Sequence, residues 1–207
     1  MTSSSDAGGT EESIMREATV TRNTRETQIT VSVRLDGKGE SEISTGIGFF
    51  DHMLTALSRH SGISMQVRTK GDLEVDGHHS VEDTGIVLGQ ALNEALGDKS
   101  GIARYGSAYI PMDEALSFCA LDLSNRPYLV FRGEFTNQMI GGYDACLTEE
   151  FFRALAVNAG ITLHLDMMYG SNDHHKCEAL FKAFAHALKA AVQETDGRVL
   201  STKGALG

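Results

Sequence analysis

The apolar positions of the N-terminal half change period along the chain. Residues 29–35 alternate apolar and polar side chains, which predicts a half-buried strand. The apolar side chains of residues 50–57 fall on one helical stripe, and Gly62 suits the end of that helix. Residues 63–67 alternate again, and residues 81–96 return to helical spacing. The pattern therefore predicts strand, helix, strand and helix in that order.

The C-terminal half repeats this order, and its apolar helix positions match those of the first half at a constant offset. Thr148 is predicted to cap the first of its helices. The repeat predicts a tandem duplication of a strand-rich α+β unit, with halves 14–100 and 101–207 and a polar break at 98–101. The matching segments are strand 117–123, strand 127–135, helix 148–155, strand 161–167 and helix 174–192.

The last helix of each half opens with the same motif, His-His-x-x-Glu, formed by His78, His79 and Glu82 and again by His174, His175 and Glu178. At helical spacing the first histidine and the glutamate share a face, with Cβ atoms about 5–6 Å apart. The second histidine is rotated by roughly 100° and so points to a different ion. Helix starts on the surface also favour such residues, but the second copy favours metal ligands.

Two metal sites are predicted from the paired motifs. One takes His78 and Glu82 with His175, and the other takes His174 and Glu178 with His79. His52 and Glu150 occupy corresponding positions in the two halves, so each is predicted to supply a further ligand. The alternatives are a solvated helix residue for His52 and a helix-start acid for Glu150.

Imidazole and carboxylate ligands suit Mn, Fe, Co, Ni or Zn and exclude a thiolate zinc site. Open coordination positions favour catalysis over a structural role. The remaining histidines, His60, His164 and His186, have no partner at ligand spacing in the sequence. They are interpreted as residues on helix flanks and on the polar face of a strand.

Composition limits the possible partners and compartments. The 207 residues carry a net charge of −10 and are 41% hydrophobic, which argues against broad binding to nucleic acid. No apolar run approaches the ~20 residues of a membrane helix. Residues 1–13 have neither a secretory nor a transit pattern and are predicted to be a disordered tail. Three scattered cysteines fit a reducing compartment, so a cytoplasmic protein is expected.

A few basic and hydroxyl side chains near turns and near the second motif are candidates for binding a phosphate. Each alone is more often a solvated surface group. The candidates are Arg104, Arg126, Lys182 and the segment Ser201, Thr202 and Lys203.

Five stretches of the chain resemble the imidazoleglycerol-phosphate dehydratase family, and the resemblance covers residues 16–204. The two most specific contain the His-His-x-x-Glu motifs, 75–82 and 170–182. The others are 49–54, 122–129 and 201–204. The family carries histidine or glutamate where Glu150 stands. The resemblance implies a fold like ribosomal protein S5 domain 2, with helices packed between two mixed four-stranded sheets.

The resemblance also implies a function, a cofactor and an assembly. The expected enzyme is a hydro-lyase at the sixth step of L-histidine biosynthesis. It converts D-erythro-1-(imidazol-4-yl)glycerol 3-phosphate into 3-(imidazol-4-yl)-2-oxopropyl phosphate and water. Two Mn(II) ions per site are expected, together with a homo-oligomer of 24 subunits in which neighbouring subunits complete the metal sites.

The chemistry of this reaction agrees with a two-metal site. The proton to be lost is not acidic, so the substrate's own imidazole must supply electrons. Held between two cations as imidazolate, it can expel hydroxide and give a diazafulvene. Glu26 is the acid/base group that the family pattern implies, and Glu82 and Glu178 are alternatives that would leave the metal during turnover. His52, His78 and His174 are expected beside the substrate, with the phosphate on the basic residues named above.

Two other function classes remain open from the residues alone. A dinuclear metallohydrolase would attack a phosphate ester with metal-bound hydroxide. A metal-binding or storage protein would show no affinity for imidazole compounds.

Overall fold

The computed structural model describes residues 15–195, 197 and 200–202. The first half contains, in chain order, β1 (Glu17–Asn23), β2 (Thr27–Arg34), β3 (Ser41–Ser44), α1 (Gly48–Ser61), β4 (Ser64–Gly71) and α2 (His78–Leu96). The second half contains β5 (Tyr105–Met112), β6 (Ala115–Asp122), β7 (Tyr128–Arg132), the small hairpin β8 (Met139–Ile140) and β9 (Tyr143–Asp144), α3 (Leu147–Ala159), β10 (Thr162–Tyr169) and α4 (Asp173–Ala191).

The two large sheets have the same topology. The strand order is β1-β2-β4-β3 in the first and β5-β6-β10-β7 in the second. In each, the last pair is parallel and the other pairs are antiparallel. This confirms the predicted tandem α+β duplication. The predicted tail, residues 1–13, lies outside the described residues, and the boundary at 98–101 stays a prediction.

The four helices lie between the sheets and pack across the two halves. Helix α2 covers the first sheet and packs on α3, whereas α4 covers the second sheet and packs on α1. Each half therefore buries its helices against the other half, as expected for units that cannot bury them alone. None of the helices in the described ranges is long and apolar enough to cross a membrane.

Two glycines set the distance between α2 and α3. A Cβ atom at Gly85 would lie 2.7 Å from the carbonyl oxygen of Phe151, and one at Gly89 would lie 2.7 Å from that of Leu155. Glycine is unfavourable inside a helix, but here it lets the two backbones come close. Both glycines lie within residues 81–96, whose apolar spacing predicted α2, so the same stretch of sequence also marks this contact.

The sequence pattern did not predict the strands whose two faces differ little in burial. β1 and β5 have no fully buried residue, and β3 and the β8–β9 hairpin are very short. Edge strands like β1 and β5 pair on one side only, so their apolar alternation is weak. A period of two is recognisable in sequence only where one face is buried.

The helix ends confirm one prediction and correct another. Gly62 has φ of 79° and its N–H donates to the Ser58 carbonyl, as predicted for the end of α1. Thr148 is not the cap of α3, because the helix starts at Leu147 after Cys146. The Thr148 side chain is buried and its hydroxyl lies 3.1 Å from the Tyr143 hydroxyl.

Replacing Gly89 with Ala should lower the free energy of unfolding by about 1–3 kcal/mol, because the added methyl overpacks the α2–α3 contact. Gly48→Ala is the matched control, since a Cβ there meets nothing within 4 Å. We expect the control to be neutral or slightly stabilising. Urea unfolding of the three proteins measures this, and equal losses for both variants would contradict the proposed close contact.

Candidate metal centre

Three side chains from two helices bring their ligand atoms together. His52 Nε2 on α1 lies 3.2 Å from Glu178 Oε2 on α4, and His174 Nε2 lies 3.0 Å from the same oxygen. All three ligand atoms lie within 4.8 Å of one another. Among the described residues this is the one such group of three histidine, cysteine or acidic side chains. Imidazole nitrogen and carboxylate oxygen are suitable ligands for a divalent transition metal.

Glu178 is the buried member of this cluster. Burial opposes its ionisation, but donors from Lys182 and His52 outweigh that cost and lower the pKa of Glu178 to about 2. Lys182 Nζ lies 2.8 Å from Oε1, whereas the histidines approach Oε2. The carboxylate is therefore ionised at neutral pH, as a metal ligand must be.

The start of α4 is fixed by capping and by a buried ion pair. The Asn172 side chain accepts from the backbone N–H groups of His174 and His175, which is a regular N-cap. Asp173 and Lys176 are both buried and are 2.5 Å apart. These contacts hold the first turn of α4, and with it the direction of both motif histidines.

The first motif forms an exposed pair. His78 Nε2 lies 3.4 Å from Glu82 Oε2, as expected from their spacing on α2, and both side chains are more than two-fifths exposed. Glu150, which was predicted as a further ligand, lies 3.7 Å from Arg153. Within the described part of one chain neither Glu150 nor the His78–Glu82 pair forms a group of three ligands.

The second histidine of each motif is held by a carboxylate of its own half. His79 donates from Nδ1 to Asp72 at 3.0 Å, and its Nε2 lies 3.9 Å from Glu26. His175 donates from Nδ1 to Glu114 at 2.7 Å. The hydrogen bonds that Asp72 and Glu114 accept raise the pKa of the histidines that donate them. Since the N–H sits on Nδ1, Nε2 is the nitrogen available to a metal.

The predicted sharing of ligands between the motifs does not occur inside one chain. His79 is not part of the three-ligand cluster, and His175 does not form a group of three with His78 and Glu82 within the described residues. As predicted, the second histidine of each motif points away from the first. The complete ligand sets therefore remain a prediction about neighbouring subunits.

The predicted phosphate-binding residues have different partners. Arg104 is nearly buried, binds Asp122 through two nitrogens at 2.7 and 3.0 Å, and donates to the carbonyl of Leu200. Arg126 is mostly exposed and lies 3.6 Å from the same aspartate. Ser201 is half-buried and Thr202 exposed, and Lys203 lies outside the described residues. The Arg104–Leu200 contact brings the C-terminal segment to the arginine.

Some contacts near the cluster could not be found from sequence spacing. His60 and His186 lie on α1 and α4, as predicted, and the structure adds a contact that sequence spacing did not reveal, with His60 Nδ1 3.2 Å from His186 Nε2. Burial and the nearby Lys182 ammonium lower the pKa of His60. The only sequence signal is that these residues lie two helical turns beyond His52 and Glu178 on the same two helices. Asp72 was also missed, as an acid directly after a strand.

Comparison with protein families and curated sequences gives a consistent result. The family model described as imidazoleglycerol-phosphate dehydratase matches residues 45–188. The protein of that name from Ruminiclostridium cellulolyticum is 57% identical over 195 residues, which are 93% of this chain and 100% of the relative. The one from Roseobacter denitrificans is 59% identical over 196 residues, again 93% and 100% of the two chains.

Solved structures agree with the sequence relatives. Imidazoleglycerol-phosphate dehydratase from Staphylococcus aureus superposes with a TM-score of 0.79 at 44% identity, covering 86% of this chain and 99% of that one. The IGPD structure from Pyrococcus furiosus has a TM-score of 0.80 at 38% identity, covering 90% and 100%. The residues that the family model matches include both motifs and His52.

Asp173 should make stability depend on acid pH. Burial opposes its charge, but donors from Lys176, Thr136 and Asn137 lower its pKa from 3.8 to about 2. The pKa of Asp173 is lower in the folded chain than in the unfolded chain, so its carboxylate stabilises the native state fully when the pH is above the unfolded pKa. This contribution is lost as the pH falls from about 4 to 2. The shift corresponds to about 2 kcal/mol.

Asp173→Asn removes the group that titrates, so its unfolding free energy should vary less than that of the wild type between pH 4 and 2. At neutral pH it should be less stable, since Lys176 loses its buried partner. Urea unfolding at several pH values measures both effects. The exposed Glu94→Gln is the control, and a wild-type slope in Asp173→Asn would contradict the assignment.

Proposed function

Because the chain belongs to the imidazoleglycerol-phosphate dehydratase family, a family of hydro-lyases, we propose that it dehydrates imidazoleglycerol phosphate with the help of two Mn(II) ions. The observation that carries the proposal is the cluster of His52, His174 and Glu178 beside Lys182. The cluster offers metal ligands, and the lysine offers a cation one helical turn away for the substrate phosphate.

The donor set fits the metal. The cluster has two imidazole nitrogens and one ionised carboxylate, without thiolate, a set that suits Mn(II) as it suits Fe, Co, Ni or Zn. His52, His174 and Glu178 would hold one ion, and His78 with Glu82 would provide ligands to the other. Bound Mn(II) supplies positive charge that lowers the pKa of the substrate imidazole.

The protein's own task is then to hold the phosphate and move a proton. Lys182 and Arg126 keep charged groups accessible to an anion, since their side chains are 21% and 58% exposed. Arg104 shares Asp122 with Arg126 and holds the segment of Ser201 and Thr202 through the carbonyl of Leu200. Lys203 is proposed to complete this phosphate site.

Glu26 is the proposed acid/base residue. Its side chain is 56% exposed and its nearest motif histidine is His79, at 3.9 Å. The carboxylate is therefore free to accept the proton from the carbinol carbon of the substrate and return one when the enol becomes the ketone. Glu82 and Glu178 remain alternatives for this role, but Glu178 is held by Lys182 and two histidines.

Assembly with other copies of the chain is part of the proposal. His79 and His175 keep Nε2 available to a metal but join no group of three within the described residues of one chain. Ligation of a neighbouring subunit's ion would use both. A homo-oligomer, of 24 subunits as the family resemblance implies, would then bring the first and second motifs of different copies together.

A chelation experiment tests the proposed activity. Protein stripped of metal with a chelator should lose dehydration of imidazoleglycerol phosphate, and added Mn(II) should restore it with close to two bound ions per subunit by metal analysis. The ketone product and inorganic phosphate are assayed together. Phosphate release without ketone would instead identify a metallohydrolase, and metal binding without either product would identify a storage protein.

Glu26→Gln should lower kcat by at least about a hundredfold, since general acid–base groups contribute about 10²–10⁴-fold. Its metal content should stay that of the wild type, because Glu26 lies outside the ligand cluster. The exposed Glu40→Gln is the matched control and should keep full activity. A fully active Glu26→Gln protein would exclude the residue from proton transfer.

A further inference from the structure

The duplication places two glutamates in corresponding positions that now have different contacts. Glu26 directly precedes β2, and Glu114 directly precedes β6. Each lies beside the second histidine of the motif in its own half. Glu26 faces Nε2 of His79 at 3.9 Å, whereas Glu114 accepts from Nδ1 of His175 at 2.7 Å. The related carboxylates therefore approach opposite nitrogens of related imidazoles.

Glu114 is fully occupied by these contacts. One oxygen accepts from His175, and the other accepts from the backbone N–H groups of Ser171 and Asn172 at 3.0 and 2.7 Å. A carboxylate with both oxygens engaged in this way has a fixed position, and so it holds the imidazole of His175 in one orientation.

In the first half a different residue accepts the hydrogen bond from Nδ1 of the second histidine. Asp72 directly follows β4, and its two oxygens lie 3.0 and 3.1 Å from His79 Nδ1. The residue that directly follows β10 in the second half is Gly170, which has no side chain to offer. Each half therefore has a second acid near Nε2 of its histidine, Glu26 at 3.9 Å from His79 and Asp113 at 3.8 Å from His175, but only in the first half is that acid the duplicated glutamate.

We propose that Asp72 and Glu114 are positioning residues that hold His79 and His175 with Nε2 directed to a metal, and that Asp72 thereby leaves Glu26 free for proton transfer. A carboxylate on Nδ1 fixes the tautomer and the ring direction of a ligating histidine and increases its basicity. The part that concerns Glu26 rests on the proposed function. The part that concerns metal binding depends only on the two histidine–carboxylate pairs.

Mn(II) affinity measured without substrate tests the proposal directly. Free Mn(II) is followed by electron paramagnetic resonance during titration of the metal-free full-length protein. Asp72→Asn and Glu114→Gln should each weaken binding by about 10–100-fold. Glu26→Gln and the exposed Glu94→Gln should bind as the wild type does. Metal-free thermal unfolding is measured alongside, because a merely structural role would lower stability without a selective loss of affinity.

Charge-conserving variants keep the test decisive if an amide variant folds poorly. Asp72→Glu and Glu114→Asp retain the charge but shift the acceptor, so an affinity between those of wild type and amide variant is expected. Wild-type affinity in all four variants would overturn the proposal, as would a loss confined to Glu26→Gln. Absence of dehydration by the Mn(II)-loaded wild type would reject the proposed function alone, since the affinities are measured independently.

Discussion

The packing of α1 against α4 is the contact on which the candidate site depends. It brings His52 from the first half to Glu178 in the second, and among the described residues neither half alone has three candidate ligands in one place. The two helices run side by side, so contacts recur along them, from His52 and Glu178 to His60 and His186. A small shift between these helices would separate the three candidate ligands.

Hydrogen-bond donors of the protein, rather than water, stabilise the charged carboxylates near this contact. Glu178 is buried but accepts from Lys182, and Asp173 is buried but paired with Lys176. Burial alone would favour the neutral acids, and the donors reverse that preference. The N-terminal end of α4, where Asn172 is the cap, also favours negative charge. Glu178 is therefore ionised without a bound metal.

The two halves have the same topology, but different side chains occupy the corresponding positions at their helix interfaces. The seam, or helix interface, between α2 and α3 corresponds to the one between α1 and α4. In it, Gln90 and Asn158 occupy the positions that correspond to His186 and His60, and Gln90 donates a hydrogen bond of 3.3 Å to Asn158. The places of His52, His174 and Glu178 are taken by Glu150, His78 and Glu82, so a carboxylate replaces one of the two imidazoles. Two like charges repel each other, and within the described residues this seam holds no group of three ligands. At this interface the glycines of α2 instead allow close packing of the two helices.

The sequence by itself determined the duplicated α+β architecture and the metal-ligand motifs. Both depend on local periodicity: the alternation of β2 and β4, the apolar spacing of α2 and α4, and the four-residue step from His78 to Glu82. The helical rotation between adjacent histidines also predicted that His79 and His175 would point away from their neighbours. Short edge strands escaped because little of their surface is buried.

Only the tertiary structure decided which partner each of these side chains meets. His52 joins Glu178, Asp72 takes His79, Glu114 takes His175, and Arg104 binds Asp122 and the C-terminal segment. These contacts lie between elements far apart in the chain. Their distances follow from how the helices pack between the sheets, and sequence spacing carries no direct measure of that packing.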